Sequence, residues 1–221
     1  MSLSSLYKVL SDISPTDTQR VKSVWERELS VTINDEVWES IWKYARKISI
    51  CSRTKSIQYR LIHRTHISPS RRHSFNPSLS PLCVKCKTEI GTLTHCLWSR
   101  RIVQKYWSEI LFEMDRIFHK NFEMDAISLI LGLPSQMLSS EANKRLYNVL
   151  TFAARKTILL HWISDKSLSV KGWGKLVFEL VPLEYLTSIL HAKKDQFYKV
   201  WQPYLDYVGP DLSAIIVKRV S

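Results

Sequence analysis

The sequence predicts an all-α fold, an irregular helical bundle of about six to seven helices carrying a small Cys/His knuckle loop. Three observations predict it. Apolar residues recur at three- and four-residue steps in segment after segment, most regularly from Ile102 through Val103, Tyr106, Trp107, Ile110, Leu111, Met114 and Ile117 to Phe118. No stretch alternates apolar and polar residues with a period of two, and no hairpin dipeptide separates two such stretches. The 221 residues contain five Gly against eight Trp and nine Tyr, a residue choice suited to filling gaps between helices rather than to making tight turns.

Residues 1–17, Ser-rich and weakly patterned, read as a poorly ordered lead-in. From Thr18, the spacing of Val21, Trp25 and Leu29 predicts a short amphipathic helix. Asn34 before Asp35 and Glu36 is a helix start, an N-cap with acids at the positive end of the dipole. Trp38, Ile41, Trp42, Ala45 and Ile48 continue it. A third helix is expected from Ser52 to about His66, with Ile57 and Leu61 on one face. Ser-Pro and Asn-Pro pairs make 68–82 a loop. Thr92 or Thr94 is placed to cap the long helix that runs from about Ser99 to Phe118. Asp125 to Leu133 reads as a short buried run ended by Gly132 and Pro134. Ser139 or Ser140 before Glu141 opens a helix to about Trp162. Ser169 caps the next, which turns Trp173, Leu176, Val177 and Leu180 inward. Pro182 suits the first position of a further helix, in which Leu183, Leu186, Ile189, Leu190, Phe197, Val200 and Trp201 continue the stripe to Pro203. The organisation expected is a lead-in (1–17), a basic helical segment with the knuckle and long helix (18–120), a C-terminal helical segment (121–207) and a tail (208–221).

The net charge is +12, and its placement is uneven. Between Glu39 and Glu89 there is no acidic residue, while the interval holds Lys43, Arg46, Lys47, Arg53, Lys55, Arg60, Arg64, Arg71, Arg72, Lys85 and Lys87. A charge run of mixed sign is usually a solvated face. This run has no counter-charge interleaved, so its self-repulsion is relieved by an anionic partner, nucleic acid first and an acidic membrane surface second. Arg53, Lys55, Arg60, Arg64, Arg71, Arg72, Lys85 and Lys87 are the candidate phosphate contacts. Tyr59, His63, His66 and Phe75 lie among them and could stack on bases, although aromatics at such spacings more often serve a core.

Cys83 and Cys86 stand at the spacing of the first half of a zinc knuckle, and His95, nine residues on, is a natural third ligand. Thiolates at that spacing can turn toward one tetrahedral ion, and Lys85, Lys87 and Arg100 favour the thiolate form. Four and five residues after His95 stand Ser99 and Arg100, and a guanidinium has no lone pair to offer a metal. Cys96 adjoins His95 and is expected to point elsewhere; Cys51 and His73 are remote alternatives. The plain reading is that these cysteines are ordinary thiols in a loop held by Leu82, Ile90, Leu93 and Trp98. Crowded cysteines, no signal-peptide apolar region and no run near the ~20 apolar residues of a membrane span together read as a soluble intracellular protein, cytoplasmic or nuclear. A Gly-rich phosphate loop, a Gly-x-Ser-x-Gly elbow, a His-Glu-x-x-His motif and paired carboxylates for two-metal chemistry are all missing, so the expectation is a non-enzyme.

Several quoted segments together resemble one family. They are Trp38 and Ile41-Trp42, then Arg53-Thr54 with Ile57-Gln58 and Leu61-Ile62-His63-Arg64, then Pro69, Cys83-x-x-Cys86, Glu89-Ile90-Gly91-Thr92-Leu93-x-His95-Cys96-Leu97-Trp98 and Ile102-Val103-Gln104-Lys105-Tyr106-Trp107. The likeness continues through Leu129 to Leu133, Ala154 to Trp162 and Phe197 to Trp201. Over about residues 20–207 the chain is similar to the C-terminal part of the reverse transcriptase polyprotein of LINE-type (non-LTR) retrotransposons, fish and amphibian elements especially. The resemblance implies a helical segment that follows the polymerase thumb, carries a Cys-Cys-His-Cys motif, and helps to bind the element's RNA during target-primed reverse transcription. It implies zinc as the cofactor, with the family's fourth ligand falling at Arg100. The polymerase and endonuclease motifs are absent, so the family's catalysis is not carried over, and an open frame beginning at Met1 looks like a truncated copy. The expected partners are RNA or another single-stranded nucleic acid and the remainder of a reverse transcriptase, with no membrane. The rival expectations are a helical interaction scaffold that self-associates, and a remnant with no selected function.

Overall fold

Eight α-helices and two single π-helical turns carry the described residues, 18–49, 51–162 and 167–211 of the computed structural model, with no strand among them. The expected lead-in and most of the expected tail lie outside those residues. The fold class is all-α.

Helix α1 (Gln19–Leu29) stops where Ser30 takes a left-handed conformation, φ 55°. Helix α2 (Asp35–Lys47) starts as its sequence dictates: the Asn34 side chain accepts from the Val37 N–H at 2.8 Å. Asp35 also holds Lys22 of α1 at 2.7 Å. Helix α3 (Ser52–Ile62) is a turn shorter than expected, because Arg64, φ 58°, reverses the chain. A short helix, α4 (Pro69–Phe75), occupies the first half of the expected loop. Its start is a Ser68 side chain accepting from Arg71 N–H at 3.3 Å, with Pro69 at the first helical position.

The long helix α5 (Arg101–Phe118) turns Val103, Tyr106, Trp107, Ile110, Leu111, Met114, Ile117 and Phe118 inward, as the periodicity predicts. A π-turn at His95–Ser99 precedes it, in place of a regular first turn. The second π-turn, Ile127–Leu131, is the predicted buried run, and Gly132 ends it at φ 82°. A Cβ there would lie 3.0–3.2 Å from Asn148, Gln58 and Arg155, so the position demands glycine for both conformation and space. Helices α6 (Glu141–Leu160), α7 (Val170–Leu190) and α8 (Lys194–Val208) complete the chain.

Two expectations are corrected in this last part. Pro182 does not begin a helix; it lies inside α7. A proline there removes a backbone donor and costs up to ~3 kcal/mol, yet Val177 and Val181 before it and Tyr185 after it are all buried against neighbouring helices. Core packing on both sides of the proline outweighs the lost bond. The break falls instead at His191–Lys193, with Ala192 at φ 53°, and α8 passes through Pro203 to Val208. Leu183, Leu186, Ile189 and Leu190, which continue the apolar run after Pro182, are exposed. Ser169 does cap α7, accepting from Gly172 N–H at 3.1 Å.

Helices α5, α6, α7 and α8 each touch the other three, forming the core bundle, and α2 and the two π-turns lean on α6. One apolar cluster runs from Trp25 in α1 to Leu205 in α8, so the two expected helical segments share a core. Three fully buried indoles fasten elements together through their N–H groups. Trp25 donates to Ile62 O at 2.8 Å, Trp107 to Leu97 O at 3.0 Å and Trp173 to Leu150 O at 3.0 Å. Each is apolar bulk plus one satisfied donor, and its loss to Ala would cost ~3–5 kcal/mol.

Candidate metal centre and basic surface

The knuckle loop is built by backbone bonds that follow from its turn residues. Cys83 N–H donates to Glu89 O at 2.8 Å, Lys87 N–H to Cys83 O at 2.8 Å and Gly91 N–H to Pro81 O at 2.9 Å, with Leu82 and Ile90 paired across the base. Lys87 takes φ 57°, which folds Cys86 back toward Cys83. Gly91 is where the loop meets α4. A Cβ on it would lie 2.7 Å from Pro69 Cγ and 3.0 Å from Cys83 Cα, so any side chain would push the knuckle off its support.

The π-turn sets the third residue. Thr92 Oγ1 accepts from His95 N–H at 2.9 Å and Arg100 N–H donates to His95 O at 3.1 Å. His95 is thereby buried with Nε2 at 3.5 Å from Cys86 Sγ. On its other side, Nδ1 lies 3.1 Å from the Glu89 carboxylate and 3.5 Å from Ser99 Oγ. A carboxylate at Nδ1 favours the proton there and leaves the Nε2 lone pair directed at the cysteines.

Cys83, Cys86 and His95 therefore come together as the spacing predicts, with their three donor atoms within 4.8 Å of one another. The donor set fits zinc in chemistry and size. Bonds of ~2.3 Å to sulfur and ~2.0 Å to nitrogen at tetrahedral angles give a sulfur–nitrogen edge of about 3.5 Å, and the Cys86–His95 separation is 3.5 Å. The Cys86 thiol is brought down to about 6, first by a hydrogen bond from the Thr88 hydroxyl, then by the backbone N–H groups of Thr88 and Glu89 and by His95. A sulfur that is anionic at neutral pH is ready to ligate. Thr88 and Glu89, rather than the Lys85, Lys87 and Arg100 that the sequence suggests, are the residues beside the sulfur that lower it.

Arg100, at the expected fourth position, is 6 % exposed, with Nη1 3.9 Å from Cys83 Sγ and Nε buried without a protein partner. It is a neighbour of the cluster, not a member of it. Cys96 is buried against the Cys83 sulfur. Burial, then the Cys83 sulfur, pushes its thiol up to about 12, which suits a protonated core residue. Cys51 is exposed at the start of α3 and His73 Nδ1 lies against Leu79 O, so neither joins the cluster.

The candidate phosphate contacts divide. Arg53, Arg60, Arg71, Arg72 and Lys87 are exposed, and Lys55 and Lys85 are half-buried. Arg71 also donates to Arg64 O at 2.6 Å. Arg64 is drawn inward: its guanidinium donates to Glu28 at 2.6 Å and stacks over the Trp25 ring at 4.3 Å. Glu28 takes a second bond from Thr94 Oγ1, so its carboxylate ties α1 both to Arg64, just past the end of α3, and to the residue before the π-turn. Of the aromatics, Tyr59 stacks on Trp42 at 5.8 Å and His63 lies 4.9 Å from the same ring, which makes them packing residues; Phe75 is exposed. No helix of the described residues is long and apolar enough to cross a membrane. The chain matches no known protein-family model.

Proposed function

We propose that this protein is a nucleic-acid-binding module of the kind that closes LINE-type reverse transcriptase polyproteins, acting on RNA or another single strand inside the cell. In this reading it has no catalysis of its own, and the remainder of a reverse transcriptase is a natural partner. The observation that carries the reading is the run of eleven cations between Glu39 and Glu89 with no acid among them, five of whose candidate contacts stand exposed. Zinc held by Cys83, Cys86 and His95 would supply a structural crosslink, bracing the loop that presents Lys85 and Lys87 against α5. Arg100 leaves it three protein ligands.

Binding of this kind tolerates sequence and weakens with salt. With six phosphates neutralised on a single strand, log affinity should fall against log salt with a slope of about −4, from ~0.7 per contact. Fluorescence anisotropy with labelled single-stranded RNA measures this directly; no binding at low salt, or a flat salt series, removes the reading. Metal content is tested separately by mass spectrometry. One equivalent of zinc is expected in the purified protein and none in Cys83→Ser, and a metal-free wild type would remove the zinc from the proposal.

A second reading rests on the exposed apolar row of α7. Leu183, Leu186, Ile189 and Leu190 are 61, 41, 44 and 75 % exposed, a face suited to another protein or a second copy of the chain.

A further inference from the structure

We propose that the cleft between the end of α2, the start of α3 and the facing sides of α6 and α8 is a seat for the phosphodiester backbone of the single strand, so that the C-terminal helices take part in binding. The inference rests on the nucleic-acid reading above and places part of that contact where the sequence run does not point. The cleft has a volume of about 590 Å³ and gathers Arg46, Lys47 and Lys55 from the basic segment with Arg145 of α6 and Lys199 of α8. Arg145 and Lys199 are 90 or more residues from the start of the cleft in sequence, and the fold alone brings them to it.

The acids nearby are already engaged. Glu141 accepts from Lys144 at 3.0 Å and from Tyr44 Oη at 3.4 Å, and those bonds hold its carboxyl below the usual carboxylate range. Glu184 takes Arg145 Nη2 at 2.9 Å and Ser49 Oγ at 2.7 Å. Arg46, Lys47, Lys55 and Lys199 form no ion pair among the described residues. Arg145, fixed by Glu184, retains a buried Nε with no protein partner. A concave site with surplus positive charge focuses field on an anion more strongly than a convex face with the same residues. Ile48, Ala142 and Val200 line the cleft beside the cations, an apolar surface on which a sugar or base can rest while its phosphate meets the amines. Four cations without an ion pair, spread around one cleft, suit a connected backbone better than a lone ion.

The test is a salt series of single-stranded RNA binding with Lys55→Ala/Lys199→Ala, beside Lys105→Ala/Lys120→Ala, which removes the same charge from α5 and the linker after it. Two lost contacts should reduce the slope by about 1.4 and weaken binding about 25-fold at 0.1 M salt, at ~0.7 per contact. The control pair should change the slope by less than one contact. Circular dichroism of both variants checks that the helices persist, and Lys199→Arg should retain the wild-type slope. RNA bound by the wild type with the same slope in both double variants overturns the inference and leaves the broader reading standing; a wild type that does not bind RNA removes both. Orthophosphate binding as tightly per phosphate as a ten-nucleotide RNA would mark a free-phosphate pocket and overturn it as well.

Discussion

At the scale of single residues, the centre depends on position 100. Three donors with a tetrahedral edge already at 3.5 Å lack only a fourth ligand, and a guanidinium is the one cationic side chain that can never shed its proton to become one. Replacing it with a thiol removes a buried positive charge and offers the missing ligand together. Arg100→Cys should therefore tighten zinc binding by at least about tenfold, equivalent to ~1.4 kcal/mol, read by competition with a chromophoric chelator. An unchanged affinity would mean that position 100 does not face the ion. The meeting of Cys83, Cys86 and His95 was legible from spacing alone, because Cys-x-x-Cys geometry is local and His95 follows nine residues on. Thr88 and Glu89 were not. Their contribution arises from where their hydroxyl, N–H groups and carboxylate point once Lys87 takes its left-handed conformation, and no spacing rule encodes that.

At the scale of elements, periodicity located α2, α5 and α6 because each has a continuous buried stripe and two of them carry a clear start signal. It failed where two signals conflict. Pro182 is a strong local punctuator, and a reading from residues weighs it heavily; the structure weighs it against Val177, Val181 and Tyr185, whose burial requires one unbroken axis. The same conflict predicts a measurable strain. Pro182→Ala restores an N–H donor within a helix that exists already, so it should stabilise the protein by about 1–3 kcal/mol. In urea this appears as a higher midpoint at an unchanged slope, and a lower midpoint would show that the ring packs too well to be replaced. The π-turn at His95 escaped the sequence for a different reason. Apolar spacing is insensitive to one extra residue in a turn, and in this one His95 meets Cys86 while Leu97 is buried in the core.

At the scale of the whole molecule, the bundle leaves one helix with two apolar faces. Val177, Val181, Tyr185 and Ser188 of α7 are buried, while Leu183, Leu186 and Leu190, at steps of three and four on the opposite side, are exposed. Periodicity alone does not separate the two sets, since it counts apolar residues without knowing how many neighbours surround the helix. A single helix cannot bury opposite faces against one partner layer, so the outer face has to remain in water or meet another surface. Water contact with this row is unfavourable at ~25 cal/mol per Å² of apolar area, and pairing two such rows would relieve it. Light scattering across a concentration series should therefore give a mass rising above the 25.9 kDa of one chain. Leu186→Lys/Leu190→Lys should return it to that value, with RNA affinity no lower than in the wild type because the basic cleft lies elsewhere and two positive charges are added. A wild-type mass that stays at one chain throughout would rule out self-association and leave the outer face to a different protein.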